Sequence, residues 1–358
     1  MRRLKTSELF PGMVTAEDVY NFNDQLILPK GLVLNDKAIT KLASYSVISV
    51  KIEDETVDAP AVSLPSGPSF SQRLRKSAEF INFQAEFEND VANFKSVIND
   101  VVEKGSPLDV DKLVNETLGC IKLCAKTPNF FDILHNMREY DDATYIHSIN
   151  VALICNVFAR WLRMDEEEIS LATISGLLHD IGKTKIPDTI IKKPGVLTGN
   201  EFDVVKTHPE EGYRILQGSG LNPAILDAVR MHHERCDGSG YPLSLKGDEI
   251  GIYARMVSIA DVYEAMTSAR IYRGPLCPFQ AIELFESEGL QKYDPGLILT
   301  FLENVVNTYL LNDVRLSNGD TGKVVFIHKE KLSAPTVQTN YGFLDLSQHP
   351  DITIEALI

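Results

Sequence analysis

The sequence predicts a mainly α-helical protein, with a small α+β module at the start of the chain and a β-rich module at its end. Nearly every segment between residues 109 and 312 is predicted to be helical. The helix starts are marked, because Asp165 and Glu168 have the spacing of a capping box and Pro209 and Pro223 stand where first-turn prolines belong. The core of the protein is therefore expected to consist of packed helices.

Two small modules and a linker flank these helices. Residues 1–58 alternate short apolar runs with turns and one short helix, a pattern that is typical of a small α+β module. Residues 59–69 contain three prolines and one glycine, which favours an extended linker. Residues 313–358 return to short alternating runs, which predict a small β-rich module.

Residues 70–108 are predicted to form a long amphipathic helix. Its apolar residues recur at steps of three and four positions, and they are Phe80, Phe83, Phe87, Val91, Phe94, Ile98 and Val101. Two arrangements produce this pattern. Residues 70–103 either pair with a second copy as a coiled coil, which makes a homodimer, or lie on the domain of their own chain.

The charge of the chain limits the partners that it can bind. Lysine and arginine number 35 and aspartate and glutamate number 50, so the formal net charge is -15. This charge repels polyanions, and DNA is therefore not expected as a partner. A small anionic substrate requires strong local positive charge, for which bound metal cations are a source.

The sequence shows no targeting signal and no membrane span. The basic residues at its start are not followed by the apolar core of a signal peptide, and the densest apolar stretch, 151–159, is shorter than the roughly 18 residues that a spanning helix needs. A cytoplasmic location is expected. The five cysteines are odd in number and lack paired zinc-binding spacing, so they are expected to be reduced thiols.

Five of the eight histidines fall between positions 147 and 233, near aspartates in apolar segments. Asp180 directly follows His179 at the end of an apolar helix, and Asp261 lies within the apolar segment 256–263. Burying an ionised carboxylate is unfavourable unless a cation or hydrogen bonds compensate it. A single histidine on an apolar helix is more often part of a core, but the combination predicts a site for two divalent ions, iron or manganese. The predicted ligands are His147, His179, Asp180, His208, His232, His233 and Asp261.

One loop of this region resembles the signature of a known family. The segment from His232 to Pro242 reads HHERCDGSGYP and is similar to the signature loop of the HD-GYP family, and further similar segments lie at 147–152, 207–212 and 265–273. The resemblance implies a helical bundle of the HD superfamily as the catalytic domain over residues 109–312. It also implies hydrolysis of cyclic di-GMP to pGpG, and in some members to GMP, by a hydroxide that two metal ions activate.

The resemblance implies roles for individual residues as well. The seven predicted ligands match the metal ligands of the family. Asp180 and Lys183 are expected to act in catalysis, and Lys183, Arg270 and Arg273 to hold the substrate phosphates, although a surface ion pair is the alternative for Arg270. The signature loop contains Asp237, Gly238, Gly240, Tyr241 and Pro242. It either ends the helix that carries two ligand histidines or binds diguanylate cyclase domains, a role that is linked to this loop in the family.

Two positions depart from the family pattern. Some members bind a third metal ion through a glutamate four residues before the first ligand histidine, and Ala143 stands at that position. Two ions are therefore expected rather than three. Ile271 stands where the family often has proline, a change that removes no chemical group.

Two other functions stay open at this point. The protein is either a phosphodiesterase for another cyclic dinucleotide, such as cyclic GMP-AMP, or a catalytically silent sensor or scaffold that binds cyclic di-GMP. The sequence does not identify the residues that contact guanine, so it does not exclude the first alternative. The complete set of predicted ligands opposes the second, because loss of a ligand is the first sign of a decayed site.

Overall fold

The structure is a computed structural model, and it describes most of the chain. Described are residues 2–6, 9, 13–20, 26–34, 38–39, 42, 49–53, 70–104, 108, 113, 119–121, 130–137, 143–193, 195–268 and 275–358. The chain forms two compact units, Met1–Gly67 with Ala269–Pro275 and Pro68–Ser268 with Leu276–Ile358. Each unit has its own apolar core. The predicted linker at 59–69 lies outside the described residues.

In the part of the first unit that the structure describes there are four short strands, which are β1 (Arg2–Lys5), β2 (Val19–Tyr20), β3 (Leu26–Leu28) and β4 (Ser49–Ile52). β1 pairs with β4 and β2 pairs with β3, both antiparallel. Val50 and Ile52 of β4 point into the core while their neighbours are partly exposed, which is the alternation of a half-buried strand. Around them the core is formed by Met13, Val19, Leu28, Leu34, Ala38 and Leu42.

The second unit is mainly helical. Over its described residues the helices are α1 (Phe70–Arg75), α2 (Ala78–Lys104), α3 (Phe130–Asn136), α4 (Ala143–Trp161), α5 (Glu166–Leu178), α6 (Asp188–Ile191), α7 (Gly199–Val205), α8 (His208–Leu216), α9 (Pro223–Met231), α10 (Ile252–Thr267), α11 (Pro278–Leu284), α12 (Leu290–Lys292) and α13 (Pro295–Thr308). α5 packs against α4, α9 and α10, and α10 also contacts α4 and α9. The predicted helical core is confirmed.

The predicted helix starts are confirmed. The Asp165 carboxylate accepts a hydrogen bond from Glu168 N and the Glu168 carboxylate accepts one from Asp165 N, each at 2.9 Å, which completes the capping box of α5. Pro209 and Pro223 lie in the first turns of α8 and α9. The cap fixes where α5 begins. The second half of α5 is buried and ends directly before His179.

The long amphipathic segment packs on its own chain. It is divided into α1 and α2 rather than one helix, and Ser77 Oγ between them accepts a hydrogen bond from Phe80 N at 3.1 Å. The apolar face of α2 is buried in the core of the second unit through Phe80, Phe83, Phe87, Phe94 and Ile98. This is the second of the two arrangements that the sequence left open. A homodimer through residues 70–103 stays a prediction that this burial does not support.

A five-stranded antiparallel sheet follows the helices. Its strands are β5 (Asp313–Leu316), β6 (Thr321–His328), β7 (Lys331–Thr339), β8 (Gly342–Asp345) and β9 (Ile354–Leu357), in the order β8-β7-β6-β5-β9. One face contributes Val314, Leu316, Val324 and Val337 to the core of the helices. The predicted β-rich end of the chain is therefore confirmed, and the sheet shares one core with the helices.

A polar contact joins α3 to the start of this sheet. Asn312 Nδ2 donates a hydrogen bond to Asp132 Oδ1 at 3.0 Å, and both side chains are buried. Burial raises the pKa of Asp132 to about 7, although the hydrogen bond from Asn312 opposes the rise. Asp132 Oδ2 is one of the described buried atoms that have no hydrogen-bond partner.

In the described part of the chain, no helix is both long enough and apolar enough to cross a bilayer. The described cysteines, Cys120, Cys155, Cys236 and Cys277, form no disulfide bond with one another. Cys124 lies outside the described residues.

Phe87→Ala tests the packing of α2. The Phe87 side chain is 1% exposed and stacks on Phe83 with ring centroids 6.1 Å apart. Its removal leaves a cavity, so we expect the free energy of unfolding in urea to fall by about 3 kcal/mol. Ile81→Ala is the control, because Ile81 lies on the same helix and is 54% exposed. It should change that free energy by less than about 0.5 kcal/mol, and equal effects of the two substitutions would contradict the packing.

Candidate metal centre

Three of the predicted ligand histidines stand at helix ends. His179 follows α5, His208 begins α8 and His232 follows α9. In each ring Nδ1 bonds to the backbone carbonyl three residues earlier, at 2.7 to 2.8 Å. A carbonyl oxygen only accepts, so Nδ1 carries a hydrogen, and in the neutral ring Nε2 keeps its lone pair.

Asp180 lies between two groups of histidines. Its Oδ1 is 3.3 Å from His208 Nε2 and 3.8 Å from His232 Nε2. Its Oδ2 is 3.3 Å from His179 Nε2 and 3.5 Å from His147 Nε2. The two oxygens of one carboxylate therefore face different histidines.

Two clusters of potential metal ligands share this carboxylate. Within each cluster the ligand atoms lie within 4.8 Å of one another. The first cluster consists of His147, His179 and Asp180. The second consists of Asp180, His208, His232 and His233. Asp261 adjoins the first cluster, since its Oδ1 lies 3.0 Å from His147 Nε2. All seven residues that the sequence singled out are thus brought together.

The donor atoms of this centre are suited to divalent cations. Among the described residues, His179 Nε2 and Asp180 Oδ1 are buried without a hydrogen-bond partner. His208 Nε2 and His232 Nε2 lie 3.2 Å apart, and in the neutral rings both carry lone pairs because the hydrogens are on Nδ1. Lone pairs at this distance repel one another unless a cation binds them. The residues present therefore fit a metal centre of imidazoles and carboxylates.

The surroundings keep both aspartates ionised. Burial raises the pKa of Asp180, but the neighbouring charges of His179 and Lys183 outweigh burial and hold it well below its usual range. Burial also raises the pKa of Asp261. The hydrogen bond from His147 and the charge of that ring outweigh burial and hold the pKa of Asp261 well below its usual range. Ionised carboxylates are the form that binds metal ions.

The histidines differ in their protonation. Burial lowers the pKa values of His232 and His233 well below the usual range, which favours the neutral rings that bind metal ions. Burial also lowers the pKa of His147, but Glu264 and Asp261 outweigh burial and raise it to about 9. A metal ion therefore competes with a proton for His147.

A short 3₁₀ turn, Ile181–Lys185, brings α8 close to Asp180. Gly182 permits this approach, because a Cβ atom at that position would lie 1.9 Å from the carbonyl oxygen of His208. Gly182 is therefore required for close packing between two backbones, which places His208 beside Asp180.

Of the three residues predicted to hold substrate phosphates, the structure describes Lys183. Its Nζ contacts Asp180 Oδ2, and 23% of its side chain is exposed. The ammonium group thus lies beside the buried carboxylate and within reach of solvent. Arg270 and Arg273 lie outside the described residues.

The signature loop folds back onto His233. Glu234 is buried, and its carboxylate oxygens accept hydrogen bonds from the backbone N–H groups of Leu243 and Leu245 at 2.6 and 3.0 Å. The ring of Tyr241 stacks on His233 with centroids 4.7 Å apart. These contacts hold the loop against the second histidine of the motif.

The rest of the loop forms a compact turn. Gly238 has a φ of 85°, which favours glycine, and Asp237 Oδ1 accepts hydrogen bonds from the backbone N–H and the hydroxyl of Ser239 at 2.9 and 2.6 Å. A Cβ atom on Gly240 would lie 2.4 Å from Glu234 Cα, so the turn packs closely on the backbone that follows α9. α9 already ends at Met231, before both ligand histidines, so the glycines of the loop do not end a helix that carries them. Binding of a diguanylate cyclase domain stays a prediction.

Known proteins are similar to this chain across the whole centre. The HD domain family matches residues 125–297, which include all seven clustered side chains. The cyclic di-GMP phosphodiesterase PA4108 of Pseudomonas aeruginosa is 33% identical over 298 residues, covering 81% of this chain and 70% of that protein. The chain belongs to the HD-GYP family. The family and the enzyme class of phosphodiesterases that the signature loop implied are confirmed.

Two further relatives of this HD-GYP chain match shorter regions. The cyclic di-GMP phosphodiesterase of Thermotoga maritima is 39% identical over 177 residues, which are 48% of this chain and 48% of that protein. The 3'3'-cGAMP-specific phosphodiesterase 2 of Vibrio cholerae is 36% identical over 179 residues, which are 48% of this chain and 34% of that protein. The chain spans about half or less of the length of these two relatives.

Two buried acids of the HD-GYP centre were not predicted from the sequence. Glu264 Oε2 lies 2.5 Å from His147 Nδ1, and Glu234 holds the signature loop. A signal for both was present, because each acid follows a predicted ligand within an apolar or motif segment. Glu264 comes three residues after Asp261 on the same helix, and Glu234 comes directly after the second histidine of the motif.

Asp180→Asn tests whether both clusters depend on the shared carboxylate. Asparagine keeps the shape of the side chain but removes its charge, so we expect manganese bound per chain after dialysis to fall at least about tenfold relative to wild type. Metal analysis by mass spectrometry measures the manganese bound per chain. Asp188→Asn, at an exposed aspartate paired with Lys192, should keep the wild-type metal content. Full retention of manganese by Asp180→Asn would show that the shared carboxylate is dispensable.

Proposed function

We propose that this protein hydrolyses cyclic di-GMP to the linear dinucleotide pGpG. The observation that carries the proposal is the position of Asp180, whose two oxygens face two clusters of histidines and so suit a pair of divalent ions. Paired ions are suited to phosphodiester hydrolysis. PA4108 and the Thermotoga maritima relative, both cyclic di-GMP phosphodiesterases, support the choice of substrate.

Two iron or manganese ions are proposed as the cofactors, because imidazole and carboxylate ligands suit both metals. The residues proposed to hold one ion are His147, His179, Asp180 and Asp261. Those proposed to hold the other are Asp180, His208, His232 and His233. When bound, such a pair of ions lowers the pKa of a water molecule and stabilises the charge of the phosphate and of the leaving ribose oxygen.

The side chains of the protein bind and orient the dinucleotide in this proposal. Lys183 offers a partly exposed ammonium group to a phosphate oxygen beside Asp180. Arg270 and Arg273 are proposed to hold phosphate oxygens with their planar guanidinium groups. These cations are needed because the net charge of the chain is -15, which repels an anionic substrate. Burial raises the pKa of Asp180, but the charges of His179 and Lys183 outweigh burial and favour the ionised carboxylate.

A second candidate substrate is 3'3'-cGAMP, because the Vibrio cholerae relative is specific for it. The same centre suits both cyclic dinucleotides, which share the phosphodiester linkage. Cyclic di-GMP is favoured because the similarity to PA4108 covers 81% of this chain, against 48% for the cGAMP-specific relative.

Product analysis by chromatography tests the proposed reaction. Protein purified without oxygen and loaded with iron or manganese is incubated with cyclic di-GMP, 3'3'-cGAMP and a nucleoside triphosphate. We expect pGpG from cyclic di-GMP, and no product from His179→Ala or Asp180→Ala, while the exposed control Asp188→Asn keeps its activity. Turnover of 3'3'-cGAMP alone would establish the second candidate. Two bound ions without any turnover would support a silent sensor or scaffold.

Lys183→Ala tests the phosphate contact. Loss of one charged donor beside the reacting phosphate is expected to lower kcat/KM about 100-fold. Bound manganese per chain should stay at the wild-type value, because Lys183 is not among the clustered ligands. Lys192→Ala is the matched control, since Lys192 is 70% exposed and pairs with Asp188. An unchanged kcat/KM for Lys183→Ala would rule out this contact.

A further inference from the structure

His147 is held differently from the other histidines of the centre. His179, His208 and His232 stand at helix ends, and each bonds through Nδ1 to a nearby backbone carbonyl. His147 lies within α4, where backbone carbonyls are bonded along the helix. Its Nδ1 instead bonds to a carboxylate, Glu264 Oε2, at 2.5 Å.

Glu264 is itself fixed by neighbours on both helices. The side chain is buried, and its second oxygen, Oε1, accepts hydrogen bonds from Asn150 Nδ2 at 3.0 Å and from Ser268 Oγ at 2.6 Å. Asn150 lies on α4 with His147, and Ser268 directly follows α10. With both oxygens occupied, the carboxylate has one orientation, and that orientation points Oε2 at the imidazole.

We propose that Glu264 is a positioning residue that prepares His147 to bind a metal ion. The Glu264 carboxylate accepts the hydrogen of His147 Nδ1, so in the neutral ring Nε2 keeps its lone pair. The same bond orients the ring so that Nε2 faces Asp180 Oδ2 and Asp261 Oδ1, which lie 3.5 and 3.0 Å away. A carboxylate behind an imidazole also makes the ring a stronger donor. This inference rests on the metal centre of the proposed function.

The role predicts an effect on one ion of the pair. Glu264 contacts His147 of the first cluster. The second cluster has its own backbone acceptors, in which His208 Nδ1 bonds to Val205 O and His232 Nδ1 to Val229 O. Loss of the carboxylate should therefore weaken the ion bound through His147 and leave the other nearly unchanged. A purely structural role in joining α4 to α10 would affect both ions or only the stability of the fold.

Manganese titration of the full chain, followed by calorimetry and by metal analysis after dialysis, tests the inference. We expect wild type to bind two ions, and Glu264→Gln to bind one with wild-type affinity and the other about 10- to 100-fold more weakly. Glu264→Ala should weaken the same ion at least as much. Asp132→Asn is the matched control, a buried carboxylate in the same unit that contacts Asn312 and none of the clustered ligands, and it should bind both ions as wild type does.

Electron paramagnetic resonance of the manganese-loaded protein gives a second measurement. Wild type should show the coupled signal of two neighbouring ions, and Glu264→Gln should show mainly an isolated ion at the same manganese concentration. Wild-type affinities for both ions in Glu264→Gln and Glu264→Ala would overturn the inference and leave the proposed function intact. Equal weakening of both ions, or a lowered melting temperature of the metal-free protein with unchanged affinities, would also overturn it. A wild-type protein that binds no ion would instead overturn the proposed function.

Discussion

The ionised carboxylate of Asp180, 2% exposed within a helical core, is the group on which the rest of the centre depends. Removing a charge from water costs on the order of several kcal/mol unless other groups compensate it. Here four imidazole nitrogens lie within 3.8 Å of its two oxygens, and Lys183 contacts the carboxylate at its edge. His179, His208 and His232 stand at helix ends, so their helices must begin or end where these rings can reach this one side chain.

The histidines converge on Asp180 mainly because they stand at helix ends. A histidine at a helix end can give its Nδ1 hydrogen to a carbonyl of its own chain, which directs Nε2 away from the helix. His179, His208 and His232 all use this geometry. Gly182 then allows two backbones to approach closely enough for His208 to reach Asp180. Local hydrogen bonds thus set the direction of each ring, and backbone packing sets its distance.

The buried acids of this unit show that neighbouring groups decide whether a buried carboxyl group is charged. Asp180 and Asp261 have histidine neighbours, and their pKa values lie well below the usual range. Glu264, bonded to a histidine, an asparagine and a serine, also has a lowered pKa. Asp132 accepts a hydrogen bond from Asn312 on one oxygen, and burial raises its pKa to about 7. Burial is common to all four carboxyl groups, so the neighbours determine which of them stay charged.

The sequence by itself determined the helical core, the β-rich end, the family and the seven residues that cluster, because caps, apolar periodicity and a long motif are local features that one chain displays. It did not determine that α2 packs on its own chain, since an amphipathic face looks the same whether its own domain or a second copy covers it. Nor did it reveal that Glu264 bonds to His147, 117 positions away, because only the packing of α4 on α10 brings those residues together. Residue spacing along one helix shows which side chains share a face, but the atoms that meet across two helices are decided by tertiary packing.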